Sequence, residues 1–220
     1  KNGTSACFVL KCDVQKFFDS VDHGILLSIL KRRIKDSNAV WLLKEIIGSF
    51  LSSSSVVFKG KGLPIGNLTS QLFANIYMNE FDQFMKHDLK VKHYARYTDD
   101  FVVVADNREY LDFTLPRIGE FLESCLLIKL HPKKVNVRKF HKGVDFLGYI
   151  SFPNHRLIRS KTRQRIFRKL RKRVFEYKNG IITKQALEQS LQSYLGVLSH
   201  ANTHRLEVDL KNQLWFWLKE

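Results

Sequence analysis

The apolar positions of this chain change rhythm along its length, and each change marks an element. The first run, Ala6-Cys7-Phe8-Val9-Leu10-Lys11-Cys12, is nearly continuous and predicts a buried strand over 6–14. Leu26, Ile29, Leu30, Arg33 and Ile34 then recur at helical spacing, with Asp19, Ser20 or Asp22 able to cap the start. Lys31, Arg32, Arg33 and Lys35 in the last turn suit the negative end of the helix dipole. A second helix is expected over 39–50 and a strand over 52–59, followed by a loop punctuated by Gly60, Gly62, Pro64 and Gly66. Leu72, Phe73, Ile76, Tyr77, Phe81, Phe84 and Met85 form a wide apolar stripe and predict a long helix over 68–87, with Gln71, Ala74 and Met78 on another face.

Two apolar segments, 91–97 and 101–105, flank Asp99 and Asp100 and read as a hairpin. A helix over 108–125 follows, with Pro116 as an expected irregularity. The segments 127–130, 135–138 and 144–151 read as short strands. The pattern shifts near 153–159, where a domain boundary is expected. Beyond it, Ile166, Leu170 and Val174 repeat every four residues along 160–178, Asn179-Gly180 ends that helix, and 183–198 and 206–218 read as two more. Strands and helices thus come first, and a small helical bundle closes the chain.

Composition adds a direction. The chain has 220 residues, 44% of them hydrophobic, enough to pack a core. Lys and Arg number 37 against 21 Asp and Glu, a net charge of +16, which favours a polyanionic partner: nucleic acid or an anionic membrane surface. Much of that charge is local, since 160–178 holds nine Lys and Arg against one Glu. No apolar run reaches the roughly 18–20 residues that span a bilayer. The basic helix has few large apolar anchors beyond its own packing stripe, so a membrane-surface role is disfavoured. The three cysteines, Cys7, Cys12 and Cys125, match no zinc spacing and read as free thiols in a reducing compartment. The first residue is Lys and no signal peptide is visible, so a fragment of a longer protein is expected.

The chemistry lies in three carboxylates. Asp13 ends the first strand, and Asp99 and Asp100 form the turn of the apolar hairpin. Adjacent carboxylates between buried strands repel one another unless a cation lies between them. Three aspartates on strand ends suggest a two-metal centre for phosphoryl transfer, in which the ions lie about 3.5–4 Å apart.

These residues carry a resemblance. Asp13-Val14-Gln15-Lys16-Phe17-Phe18-Asp19-Ser20-Val21-Asp22-His23 resembles motif A of bacterial reverse transcriptases of the group II intron type, and Tyr97-Thr98-Asp99-Asp100 resembles their Tyr-x-Asp-Asp motif. Gly62-Leu63-Pro64-Ile65-Gly66-Asn67-Leu68-Thr69-Ser70-Gln71 is similar to the motif before the long palm helix, and Leu130-His131-Pro132-Lys133-Lys134 to the lysine-bearing motif D. Phe146-Leu147-Gly148-Tyr149 resembles the primer grip, and the run from Ser193 to Asn202 the thumb. The six matches run in the family's order over about residues 6–206.

The resemblance implies an α+β fold: a right-hand polymerase palm, an antiparallel sheet with packed helices, followed by an α-helical thumb bundle. It places the palm with partial fingers at 1–155 and the thumb at 156–220. It implies an RNA-directed DNA polymerase that extends a DNA or RNA primer on an RNA template with dNTPs. Two Mg²⁺ ions, replaceable by Mn²⁺, would be held by Asp13, Asp99, Asp100 and the Val14 carbonyl. Phe18 would be the steric gate against a 2′-hydroxyl. Lys134 rather than Lys133 would protonate the pyrophosphate leaving group. Ile65, Gly66 and Gln71 would border the nucleotide, Phe146, Leu147 and Gly148 would grip the primer, and Arg163, Arg165, Arg168, Lys169 and Lys172 would track the nucleic-acid backbone. An accessory protein and a bacterial or phage-encoded cytoplasmic setting are also implied.

Two departures sharpen the resemblance. Ile65 and Gln71 stand where many family members have Gln and Pro, a pattern resembling the reverse transcriptases of diversity-generating retroelements. An Ile cannot hydrogen-bond the incoming nucleotide, so mispaired poses are rejected less strongly. Only twelve residues precede Asp13, so the fingers hairpin is expected to be missing and the isolated chain to polymerise weakly or not at all. The alternatives are a group II intron maturase-type enzyme and, from another class, a non-catalytic palm-shaped RNA-binding module. A palm-type nucleotide cyclase is disfavoured, since no Gly-Gly-Asp/Glu-x-Phe-like turn is present.

Overall fold

The computed structural model describes residues 7–49, 60–64 and 66–220, so the strand expected over 52–59 and the side chain of Ile65 lie outside the described residues. The architecture is α+β, as the resemblance implied, and the chain divides into two compact units, Lys1–Lys139 and Phe140–Glu220.

The first unit is built on a four-stranded antiparallel sheet in the order β2-β3-β1-β4. Its strands are β1 (Phe8–Asp13), β2 (His93–Tyr97), β3 (Asp100–Ala105) and β4 (Asn136–Lys139). Alternation gives the sheet two different faces. Leu10, Cys12, Phe101 and Val103 point into the core, where they join buried residues of α2 (His23–Arg33), α4 (Leu68–Gln83) and α5 (Arg108–Ser124), among them Leu26, Tyr77, Phe81 and Ile118. Lys11, Asp13 and Asp100 alternate with those core residues and lie on the opposite face.

Local chemistry fixes the helix starts. The Asp22 carboxylate accepts from the Ile25 amide at 3.1 Å and caps α2, and Asp36 does the same for Ala39 at the start of α3 (Ser37–Gly48). A short turn of helix, α1 (Phe17–Ser20), precedes them. Tyr77 is fully buried; its hydroxyl donates to the Leu126 carbonyl at 2.6 Å, tying α4 to the exit of α5.

Three expected elements differ in detail. The long helix does not stay α-helical to residue 87: from Phe84 to Asp88 it widens into a π-helical turn closed by the Leu89 amide on the Phe84 carbonyl. The wider turn lets Phe84 stack on Phe121 at 4.1 Å while Met85 stays buried in the core. The segment 127–130 is not a strand. Leu126 and Ile128 are buried two residues apart, which imitates strand alternation, but Leu127 between them is left-handed (φ 50°), and only Leu130 forms a bridge, with Val14. Pro116 leaves α5 unbroken across its full span.

The second unit opens with a three-stranded antiparallel sheet, β5 (Val144–Phe146), β6 (Tyr149–Ser151) and β7 (Arg156–Ile158). The single strand expected over 144–151 is therefore a hairpin. Leu147 (φ 52°) and Gly148 (φ 86°) form its two-residue turn, with Phe146 paired to Tyr149. The sequence hid this turn because a leucine occupies one of its left-handed positions. Helices α6 (Ser160–Lys178), α7 (Lys184–Ser199) and α8 (His204–Lys219) follow and bury Ile166, Leu170, Val174, Leu187, Leu198 and Leu210 against one another. Among the described residues no helix is long and apolar enough to cross a membrane.

The core position of Cys12 has a chemical consequence. Burial, and then the negative charge of Asp100, push its thiol up to about 12. Thiolate is the reactive form, so at pH 8 Cys12 stays protonated while Cys125 is exposed to reagent. Alkylation of the native protein at pH 8, read by peptide mass spectrometry, is expected to modify Cys125 and to spare Cys12 until the protein is denatured; native labelling of Cys12 would contradict the burial.

Candidate active site

The register of β1 against β3 brings the carboxylates together. Cys12 faces Phe101 and Asp13 faces Asp100 across the antiparallel ladder. Direct opposition of like charges destabilises a sheet, so this pair needs compensation. Lys11, diagonal to Asp100, supplies part of it: its Nζ lies 3.4 Å from Asp100 Oδ2. The Lys134 ammonium supplies the rest, 3.0 Å from each oxygen of Asp13. Burial first, then the charges of Asp13 and Asp99, raise the Asp100 carboxyl above its ordinary value, and Lys11 opposes them.

Lys134 reaches Asp13 because β1 continues past its end. The Gln15 amide donates to the Lys129 carbonyl and the His131 amide to the Asp13 carbonyl, both at 2.8 Å. The chain then turns, with the Lys134 amide on the His131 carbonyl at 3.0 Å, and returns the lysine to the carboxylate. Neighbouring Lys133 is exposed, and its amide points to His131 Nδ1 instead.

Asp99 sits in the two-residue turn between β2 and β3, closed by the Tyr97–Asp100 pair. Its carbonyl accepts from the Val14 amide at 3.2 Å, which ties the turn to the end of β1. Thr98 is left-handed (φ 53°), a strained state for a β-branched residue. Its hydroxyl lies 2.7 Å from Asp99 Oδ1 and 2.8 Å from the Tyr97 carbonyl, and its single proton serves one at a time.

What holds this strained turn was not legible in the sequence. Arg96, with a side chain only 9% exposed, forks onto Asp82 of α4: Nε donates to Oδ1 at 2.8 Å and Nη2 to Oδ2 at 2.5 Å. Its remaining nitrogen, Nη1, donates to the Thr98 carbonyl at 2.9 Å. The Tyr94 hydroxyl donates to the same Asp82 at 2.8 Å. Burial alone would lower the Arg96 pKa, but the hydrogen bonds and charge of Asp82 outweigh it and raise the value. A half-buried carboxylate on the long helix thus fixes a guanidinium, and the guanidinium fixes the turn. The sequence offered no signal of this clamp beyond the presence of Arg96 in the strand before the turn.

The donor set suits a hard cation. Three carboxylates at one sheet end present oxygen ligands of the kind Mg²⁺ and Mn²⁺ prefer. Asp100 Oδ1 is buried and has no hydrogen-bond partner among the described residues, an arrangement that a bound cation would satisfy. Among the described residues no three His, Cys, Asp or Glu side chains are gathered into a group that could hold a metal ion, and Asp100 and Asp13 instead pair with Lys11 and Lys134.

The other sequence-predicted residues divide between the units. Phe18 is half-buried on the core of the first unit, edge-on to Phe17 at 5.5 Å. The Leu63 amide donates to the Phe18 carbonyl at 2.7 Å and the Gly62 amide to Val21 at 2.8 Å, so the loop leading to Gly66 is laced to the segment after Asp13. Gly66 is left-handed (φ 104°), and Gln71 is exposed on α4, one turn before the Asn75 that Arg96 also touches at 3.4 Å. In the second unit, Phe146, Leu147 and Gly148 form the β5–β6 turn region, and Arg163, Arg165, Arg168, Lys169 and Lys172 are exposed along α6.

Comparison with known proteins gives a consistent result. The family model described as "Reverse transcriptase (RNA-dependent DNA polymerase)" matches residues 1–151. "Protein YkfC" of Escherichia coli (strain K12) is 27% identical over 193 residues, covering 73% of this chain and 49% of the relative. "Group II intron-encoded protein LtrA" of Lactococcus lactis subsp. cremoris is 32% identical over 81 residues, 36% of this chain and 13% of the relative. The chain therefore spans less than half the length of these relatives. Among solved structures, apo telomerase from Candida tropicalis aligns with a TM-score of 0.53 at 12% identity, covering 66% of this chain and 31% of that one. Telomerase from Candida albicans, in complex with a fragment of telomeric RNA, aligns with a TM-score of 0.52 at 16% identity, covering 97% and 40%. The likeness to the telomerases is one of fold.

Replacing Arg96 by Lys removes the fork that clamps Asp82 and Thr98 while keeping the charge. The Val14 amide, whose partner is the Asp99 carbonyl, is then expected to exchange its hydrogen about tenfold faster, the effect of losing roughly one hydrogen bond's worth of local stability. Unchanged Val14 exchange in Arg96→Lys, measured by NMR, would show that the turn holds without the guanidinium.

Proposed function

This chain belongs to the reverse transcriptase (RNA-dependent DNA polymerase) family, and on that premise we propose that its parent protein extends a primer on an RNA template by nucleotidyl transfer. The observation that carries the reading is the opposed Asp13–Asp100 pair beside Asp99 at one sheet end, neutralised by lysines. In the reaction, the primer 3′-hydroxyl attacks the α-phosphorus of a dNTP, a P–O bond forms, and the bond to pyrophosphate breaks. Asp13, Asp99, Asp100 and the Val14 carbonyl would hold two divalent cations, Mg²⁺ or Mn²⁺. Bound there, such ions supply positive charge to the developing 3′-alkoxide and to the leaving group.

The chain's own residues supply positioning and the proton. Lys134, whose Nζ lies 3.0 Å from Asp13, would pass a proton to the departing pyrophosphate once its hold on the carboxylate is released. Phe18 would lie under the sugar and discriminate against a 2′-hydroxyl, while Ile65, Gly66 and Gln71 would border the base and triphosphate. Arg96 acts on the reaction only through the turn that it positions. In the second unit, Phe146, Leu147 and Gly148 would meet the primer strand, and the exposed cations of α6 would contact phosphates, so binding should weaken steeply with salt.

Primer extension on RNA by the full-length protein tests the reading. Asp13→Ala and Asp99→Ala are each expected to lower the rate by at least about 10³-fold, the order lost with one group that stabilises transition-state charge. Lys134→Ala is expected to cost about 10²-fold, as for loss of a general acid. Extension by Asp99→Ala at the parental rate would remove the aspartates from the reaction, and no extension by the parent protein itself would leave the non-catalytic RNA-binding module.

A finer reading concerns lineage. Ile65 and Gln71 support an error-prone enzyme of a diversity-generating retroelement, whereas the intron-encoded relative supports a group II intron maturase-type enzyme. Ile65→Gln in the full-length enzyme is expected to lower misincorporation opposite template adenines. Sequenced products with the same error spectrum in both enzymes would favour the intron-type alternative.

A further inference from the structure

The positive charge of α6 is not spread over a bare helix face. Phe167, Arg168, Arg171, Lys172 and Phe175 of α6, with Trp217 of α8, line an open groove of about 470 Å³ within the second unit. Phe167, Arg171 and Phe175 follow one another at four-residue spacing, and Arg168 and Lys172 run beside them, so aromatic rings and cations interleave on one strip of the helix. Phe175 is 65% exposed, a large ring left in water between cations. Lys172 shares Glu176, the only acid of α6, at 3.7 Å. Arg168 and Arg171 have no ion-pair partner among the described residues.

Contact with a nucleic-acid backbone needs cations but no aromatic lining. A paired duplex also hides the faces of its bases, so these rings would have nothing to meet there. An unpaired nucleotide offers what the groove lacks: a flat apolar face for the rings and a phosphate for the surrounding guanidinium and ammonium groups. We propose that the α6–α8 groove is a single-strand binding site that takes an unpaired nucleobase against Phe175 and Trp217, with the flanking phosphates on Arg168, Arg171 and Lys172. The site goes beyond the polymerase reading, which asks of α6 only phosphate contacts, and it makes no use of the aspartates.

The test uses the full-length protein carrying Asp99→Ala, so that binding is read without synthesis, and compares three probes by fluorescence anisotropy: a single-stranded oligoadenylate, an abasic strand of equal length and charge, and a blunt duplex. The parent should prefer the oligoadenylate to the abasic strand. Phe175→Ala, which removes an exposed ring and not a core residue, should weaken oligoadenylate binding about tenfold, leave the abasic strand and the duplex within about twofold, and be rescued by Phe175→Tyr. Equal parental affinity for oligoadenylate and abasic strand would overturn the proposal. So would unchanged oligoadenylate binding in Phe175→Ala, or an equal loss on both strands. Anionic phospholipid vesicles that bind at the groove and are not displaced by oligoadenylate would assign it to a membrane surface instead. Loss of the polymerase reading alone would appear as base-dependent, Phe175-sensitive binding by a full-length parent that extends no primer.

Discussion

Two carboxylates placed directly opposite one another across β1 and β3 are the constraint around which the first unit is organised. Left alone, Asp13 and Asp100 would push the sheet apart at that end. They cannot escape by slipping in register, because a one-residue shift would turn Leu10, Cys12, Phe101 and Val103 out of the core and the charges into it. The repulsion is therefore met in place. Lys11 covers Asp100 from the diagonal position and Lys134 covers Asp13 from a loop that β1 itself holds. Two lysines against three aspartates still leave one net negative charge, and Asp100 Oδ1 has no hydrogen-bond partner among the described residues.

The turn that adds Asp99 carries a second cost, the left-handed backbone of Thr98. Strain of this kind persists only where surrounding structure over-determines it. Here Arg96 does so from below, clamped by Asp82 and supported by Tyr94, while the Val14 amide holds Asp99 from the side. The long helix therefore matters to the chemistry in two ways: Phe81 and Tyr77 anchor it in the core, and Asp82 extends that anchorage to the turn. This is a path of a bidentate pair and one further hydrogen bond from the long helix to the turn that carries Asp99.

The second unit meets a different physical demand. Its core is small, six buried aliphatic side chains shared among three helices, and its surface carries most of the local excess of positive charge. Nine cations with one acid on a single helix repel one another in isolation. A polyanion would relieve that repulsion. The rings set among the cations add selectivity that charge alone does not give.

The elements that carry the carboxylates were legible because each rule pointed the same way. Apolar strands ended on Asp13 and at Asp99-Asp100, Asp22 capped the helix after the first strand, and a four-residue repeat underlay the basic helix. Those features depend on residues close in sequence, whose preferences survive without tertiary context. The widening of α4 at Phe84, the left-handed Leu127 and the hairpin at Leu147-Gly148 did not show, because in each case packing overrode the local preference of a bulky residue. Pairings over long separations were equally hidden: the opposition of Asp13 to Asp100, the reach of Lys134 to Asp13 and the fork of Arg96 on Asp82. By itself the sequence determined which groups the chain has and which strands and helices bear them. Only the tertiary structure decided which charges face one another and what neutralises them, because electrostatic energy depends on distances in space that sequence spacing does not set.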